Sequence, residues 1–99
     1  MPAPLNRSSG KRLTIERAQT GVRMEKRLLK VLKALAEYLE LSLGDLLEGI
    51  VLHAFDGKAP FSPETLQKIA QLKAVYGMDY GAEFSHKLIE FNEKEKRGE

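Results

Sequence analysis

The sequence predicts a mainly α-helical protein in which one short strand precedes four helices. Apolar side chains recur at spacings of three and four in segments 25–39 and 43–54, as the buried face of a helix requires. In segment 19–24 they alternate with polar side chains, as in a strand with one buried face. At 99 residues the chain fits one domain. Its core would be small, so we expect oligomerisation to add stability.

Composition argues against several classes of protein. The chain has no cysteine, which rules out disulfides, thiolate metal sites and a thiol nucleophile, and favours a cytoplasmic setting. Charged residues interrupt every apolar run well before the roughly 20 apolar residues that a membrane span needs. Residues 1–17 contain two prolines and several basic residues without an apolar run behind them. We expect a flexible basic arm there rather than a secretory signal.

Charge is distributed unevenly along the chain. Residues 1–33 contain nine Lys or Arg against two Glu, a net charge of +7, whereas residues 34–99 contain seven basic and twelve acidic residues, a net charge of −5. A basic block often marks contact with a polyanion, because each cation placed on a phosphate releases condensed counterions. The alternative is a solvated basic face without a partner, and charge alone does not separate the two.

The predicted strand spans residues 19–24. Its two faces carry different side chains, which are Thr20, Val22 and Met24 on the apolar face and Gln19, Gly21 and Arg23 on the polar face. An isolated strand leaves its amides and carbonyls unpaired, so we expect the same strand of a second subunit to pair with it. A local hairpin between 13–15 and 22–24 is the alternative, although the residues between them lack an Asn-Gly or Asp-Gly turn.

Two amphipathic helices are predicted after the strand. The first spans 25–39, and its apolar face comprises Leu28, Val31, Leu32, Leu35, Ala36 and Leu39. Ser42 is the expected N-cap of the second helix, with Asp45 in the capping-box position, and Asp56-Gly57 ends that helix. The apolar face of the second helix comprises Leu43, Leu46, Leu47, Ile50, Val51 and Ala54.

Two further helices are predicted in a C-terminal extension, residues 58–99. Ser62 and Pro63 begin the third helix and Gly77 ends it, and Asp79 caps a fourth helix lined by Tyr80, Phe84, Leu88 and Phe91. The aromatic residues of this extension are expected to pack on the first two helices. If they are exposed, they would instead form a docking surface for another protein.

The order of elements in residues 18–55 resembles the ribbon-helix-helix, or Arc/MetJ-like, family. The resemblance rests on a basic strand, an amphipathic helix of about fifteen residues, a tight link and a second helix opened by serine. It implies a DNA-binding and dimerisation unit spanning 18–57, in which two chains pair their strands into a ribbon that enters the major groove of DNA. It also implies a transcriptional regulator that represses by occupying operator DNA.

The resemblance and the charge pattern give individual residues expected roles. Base edges would be contacted by Gln19, Gly21 and Arg23. The guanidinium of Arg23 can bind guanine bidentately. Phosphates would be met by the backbone amides of Ser42, Leu43 and Gly44 and by the side chains of Lys11, Arg12 and Arg17. The dimer core would comprise Val22, Met24, Leu28, Leu32, Leu35, Leu47, Ile50 and Val51.

Other functions have less support in the sequence. His53 and Asp56 are spaced as i and i+3 but lack a further metal ligand nearby, and no glycine-rich phosphate loop occurs. We therefore expect no enzyme activity, no cofactor and no metal. The second hypothesis is a protein-interaction module, including an antitoxin-type adaptor whose acidic C-terminal helices bind a protein partner. Many proteins of the family that the chain resembles are antitoxins.

Overall fold

Three helices surround a small core in the computed structural model, which describes residues 12–90. Helix α1 spans Lys26–Leu39, α2 spans Leu43–Phe55 and α3 spans Pro63–Val75, and a short 3₁₀ helix follows at Ala82–Phe84. Helices α2 and α3 each pack against α1 rather than against each other. In this part of the chain no helix has the length and apolar character that crossing a membrane requires.

The ends of the helices follow local signals in the sequence. The Ser42 hydroxyl accepts a hydrogen bond from the amide of Asp45 at 3.1 Å, which caps α2, and Ser62 caps α3 in the same way. Gly57 and Gly77 follow α2 and α3 with φ angles of 70° and 67°. Glycine tolerates this left-handed conformation, which ends a helix by turning the chain. The predicted beginnings and ends of these helices are confirmed.

Helix α1 ends without a glycine. Glu40 takes the left-handed conformation, with φ 59° and ψ 43°, and its amide donates to the carbonyls of Ala36 and Glu37. The next amide, of Leu41, also donates to the carbonyl of Ala36, at 2.9 Å. A side chain in this backbone region costs about 1 kcal/mol relative to glycine.

Helix α1 contributes most of the core. The buried apolar residues are Val31, Leu35 and Ala36 of α1 and Leu46 of α2, and Leu35 is only 2% exposed. Partly buried side chains surround them, namely Leu32, Leu39, Leu41, Ile50, Phe61, Ile69 and Leu72. The buried face of α1 is therefore the one that its apolar spacing predicts.

The strand predicted at 19–24 is wrong. No strand occurs among residues 12–90, and residues 12–25 have no regular secondary structure. Residues 12–24 make no backbone hydrogen bond to the backbone of any other described residue. Their side chains are exposed except for the half-buried Met24, so water can satisfy the backbone polar groups that a ribbon would pair. The ribbon-helix-helix arrangement is therefore overturned, whereas the mainly α class is confirmed.

The fourth helix is also wrong over the residues that the structure describes. Beyond the 3₁₀ helix, residues 85–90 continue without a helix. His86 has a φ of 67°, which a right-handed helix does not contain. The rings of Tyr80 and Phe84 meet edge to face, with centroids 6.3 Å apart. Phe91, the last residue expected on this helix, lies outside the described residues.

Candidate functional site

Six exposed cations of residues 12–33 form what we call the basic surface. Its members are Arg12, Arg17, Arg23, Lys26, Lys30 and Lys33. The three arginines belong to the irregular segment 12–25, and the three lysines belong to α1. The lysines are spaced by four and three residues, so they share the face of α1 that is opposite Leu35. The basic surface thus includes residues of the irregular segment and of one face of α1.

Arg17 is held against α2 by Glu48. Its Nη2 lies 2.8 Å from Oε1 of Glu48 and its Nε lies 3.2 Å from Oε2, so the pair is bidentate. The hydrogen bond and the charge of Glu48 raise the pKa of Arg17, and the same contacts lower the pKa of Glu48. The negative charge of Asp45 also raises the pKa of Arg17. Arg17 is therefore brought to the N-terminal half of α2, where the expected phosphate clamp lies.

Arg23 is paired with a second carboxylate. Its Nη2 contacts Oε2 of Glu90, and the two side chains are 84% and 68% exposed. Both Gln19 and Gly21 are exposed, and a Cβ added at Gly21 would meet no atom of residues 12–90 within 4 Å apart from its two chain neighbours. The residues expected to meet base edges are therefore solvent-accessible, although Arg23 is already engaged. Lys11, expected on the same arm, lies outside the described residues.

The expected phosphate clamp lies at the start of α2. Ser42 and Gly44 are exposed and Leu43 is half-buried. The side chain of Ser42 already accepts from the amide of Asp45, and the acidic Asp45 lies in the first turn. A negative side chain near the positive end of a helix is favourable, and it also opposes the binding of an anion there.

The residues expected in the dimer core differ in burial. Leu35 is buried within this chain, so its contacts are intramolecular. Partial burial is seen for Met24, Leu28, Leu32, Leu47 and Ile50. Val22 and Val51 are 72% and 44% exposed. These two exposed side chains have room to contact a second molecule.

The outer part of α2 carries large apolar side chains, of which only Val51 was expected at a site, in the dimer core. Val51, Leu52 and Phe55 are 44%, 64% and 81% exposed and follow Glu48 at helical spacing. We call these three residues the α2 outer face. The signal in the sequence was an apolar residue at 52 and at 55, outside the stripe assigned to the core. When apolar residues occupy more than one face of a helix, they indicate that more than one of its faces is covered by protein.

A polar cluster at the start of α1 was also missed. The Glu25 carboxylate accepts hydrogen bonds from the amides of Arg27 and Leu28, each at 3.1 Å, and from the hydroxyl of Tyr80 at 2.8 Å. Burial alone would raise the pKa of Glu25, but these bonds and one from the Arg27 side chain outweigh it and lower the pKa to about 2. Burial and the bond to Glu25 raise the pKa of Tyr80. The cluster joins α1 to the segment after α3.

Two open grooves lie beside the core. One of about 450 Å³ is lined mainly by apolar residues of α1, α3 and segment 78–88, including Leu28, Ile69 and Phe84. The other, of about 680 Å³, lies between α2 and the start of α3 and includes His53 and Thr65. No set of three acidic or histidine side chains suited to a metal ion occurs within residues 12–90. The smaller groove therefore offers mainly apolar surface.

Comparisons with protein-family models, with curated proteins and with solved structures found no match for this chain. The resemblance to ribbon-helix-helix proteins stays a prediction from the order of residues. The basic surface and the α2 outer face are the features of the described residues that bear on function.

Proposed function

We propose that the protein is a transcriptional regulator that binds double-stranded DNA through the basic surface. The observation that carries the proposal is the exposure of six cations within residues 12–33, beside an acidic remainder. Each cation placed on a phosphate releases counterions, so a cluster of this size provides most of the affinity of a nonspecific complex. Residues 12–24 of the irregular segment can follow a DNA groove because no backbone hydrogen bond to the backbone of another described residue restrains them.

Sequence recognition is assigned to the exposed polar residues of the same segment. Arg23 has the donors to bind guanine bidentately, and Gln19 has the donor and acceptor that adenine requires. A well-formed bidentate contact discriminates against the wrong base by about 1 to 3 kcal/mol. Repression follows when the complex occupies an operator.

The proposal includes a homodimer. Within residues 12–90 only four apolar residues are buried, while Val51, Leu52 and Phe55 are exposed. A second copy placed on the α2 outer face would remove this apolar area from water. A dimer would also present two basic surfaces to one DNA molecule. Sedimentation equilibrium over a range of concentrations tests this part: a monomer at all concentrations contradicts it.

Fluorescence anisotropy of a labelled mixed-sequence duplex at several salt concentrations tests DNA binding. We expect affinity to fall steeply with salt, with a logarithmic slope of about −0.9 per phosphate contact. The variant Lys26→Gln/Lys30→Gln should bind more weakly and lower the slope by about two. The matched control Lys58→Gln/Lys87→Gln removes the same charge from exposed lysines outside the basic surface. Equal losses in the two variants would contradict the assigned surface.

The α2 outer face also favours a second candidate, a protein-interaction module of the adaptor or antitoxin type. Its apolar side chains lie on a helix that carries Asp45 and Glu48 and is followed by Asp56, so a partner with a basic and apolar surface fits it. Absence of DNA binding even at low salt would make this candidate the better one. Substitution of Phe55 by Asp should then abolish partner binding without unfolding the chain, because Phe55 is 81% exposed.

A further inference from the structure

Two arginines of the basic surface are paired with carboxylates of the chain's own acidic part. We propose that Glu48 and Glu90 compete with DNA phosphates for Arg17 and Arg23, so that DNA binding requires both ion pairs to open. The inference rests on the proposed function, since it concerns the same basic surface. It makes the acidic part of the chain an internal inhibitor of the basic part.

The geometry of the Arg17 pair supports this competition. Nε and Nη2 of Arg17 donate to the two oxygens of Glu48, in the fork arrangement that a guanidinium also uses with phosphate. A phosphate that binds Arg17 through the same fork needs Nε and Nη2, the donors that Glu48 occupies, and the negative charge of Glu48 repels a phosphate at the remaining edge of the guanidinium. The guanidinium of Arg23 is likewise engaged by Glu90.

The two pairs also hold the irregular segment in place. Residues 12–24 make no hydrogen bonds to other described residues apart from those of Arg17 and Arg23. Glu48 lies on α2, 31 positions from Arg17, and Glu90 lies 67 positions from Arg23. Opening both pairs therefore releases the segment from two separate regions of the fold and makes all three of its arginines available to DNA.

The expected inhibition is modest because the pairs are exposed. Side chains of the Arg17 pair are 66% and 47% exposed, and water and salt weaken ion pairs of this kind. DNA can therefore displace the carboxylates. Removing either carboxylate should tighten DNA binding by about two- to fivefold at low salt.

The first test measures DNA affinity by anisotropy for Glu48→Gln, Glu90→Gln and the double variant. Glu64→Gln is the control, since Glu64 is exposed and forms no ion pair with a described residue. This control reports the gain in DNA affinity that results from removing one negative charge elsewhere on the protein. We expect both test variants to exceed that gain and the double variant to bind most tightly. If the parent binds DNA and neither test variant exceeds Glu64→Gln, the inference is overturned while the proposed function stands. If no variant binds DNA, both are overturned.

A second test examines the ion pairs without DNA. Trypsin must take an arginine side chain into its own pocket, so a paired arginine is cleaved more slowly than a free one. Glu48→Gln should speed cleavage after Arg17, and Glu90→Gln should speed cleavage after Arg23. Cleavage after Arg12, which has no carboxylate partner among residues 12–90, is the internal reference. Unchanged rates relative to Arg12 would overturn the inference whatever the DNA result.

Discussion

The hydroxyl of Tyr80 donates a hydrogen bond to Oε1 of Glu25, which lies 55 positions earlier in the chain, at 2.8 Å. Glu25 also caps α1, so the bond ties the segment after α3 to the start of the central helix. Arg27 strengthens the same junction by donating to the carbonyl of Gly77 at 2.9 Å, with its guanidinium 5.6 Å from the centre of the Tyr80 ring. These contacts together connect two distant parts of the sequence.

Tyr80→Phe should lower the free energy of unfolding by about 1 kcal/mol, because it removes this hydrogen bond and keeps the ring. Urea unfolding followed by circular dichroism measures the change. Tyr76→Phe is the control, since the Tyr76 hydroxyl bonds no described side chain. Equal effects of the two substitutions would show that the bond to Glu25 adds nothing.

The low pKa of Glu25, about 2, should make stability depend on pH. In the unfolded chain this carboxyl titrates near its ordinary value of 4.5. Its contacts therefore contribute fully above about pH 4.5, and the contribution is lost as the pH falls toward 2. Glu25→Gln should cost about 2 kcal/mol at pH 7 and much less at pH 2.5, measured by urea unfolding. If Glu25→Gln lowers the free energy of unfolding equally at both pH values, the low pKa assigned to Glu25 is contradicted.

Leu35→Ala should destabilise the protein by about 2 to 5 kcal/mol, because Leu35 fills the centre of the core. Leu52→Ala, on the α2 outer face and 64% exposed, should cost less than about 1 kcal/mol in the monomer. Thermal unfolding at low protein concentration compares the two. If the cost of Leu52→Ala rises with protein concentration, the α2 outer face is covered by a second copy.

Glu40→Gly should stabilise the protein by about 1 kcal/mol, since glycine adopts the left-handed conformation at the end of α1 without steric cost. Glu37→Gly, within the same helix, should instead destabilise it by about 1 kcal/mol through the helix propensity of glycine. Thermal unfolding gives both changes. If Glu40→Gly lowers stability instead, the side chain of Glu40 stabilises the fold by more than the backbone strain costs.

The helices could be predicted because their signals are local. A serine before each of α2 and α3, a glycine after each, and apolar residues at helical spacing all act within a few residues of one another. The buried face of α1 around Leu35 was predicted on the same basis. Distant parts of the chain do not alter such signals, so the sequence was sufficient to predict these helices.

The two errors arose where a local pattern depended on a distant partner. Alternation at 19–24 indicates a strand only if another strand pairs with its backbone, and the described residues supply none. The spacing of aromatic residues after Asp79 indicated a helix. Tyr80 instead donates a hydrogen bond to Glu25, and His86 takes a left-handed conformation. In each case tertiary contacts or their absence outweighed a weak local preference.

The sequence by itself determined the mainly helical class, the limits of three helices and the concentration of cations in the first third. Only the tertiary structure decided which of those cations are paired, that Glu25 meets Tyr80, and that Val51, Leu52 and Phe55 remain exposed. The physical reason is distance along the chain. Capping and periodicity act between near neighbours, whereas ion pairs and burial depend on residues that only folding brings together.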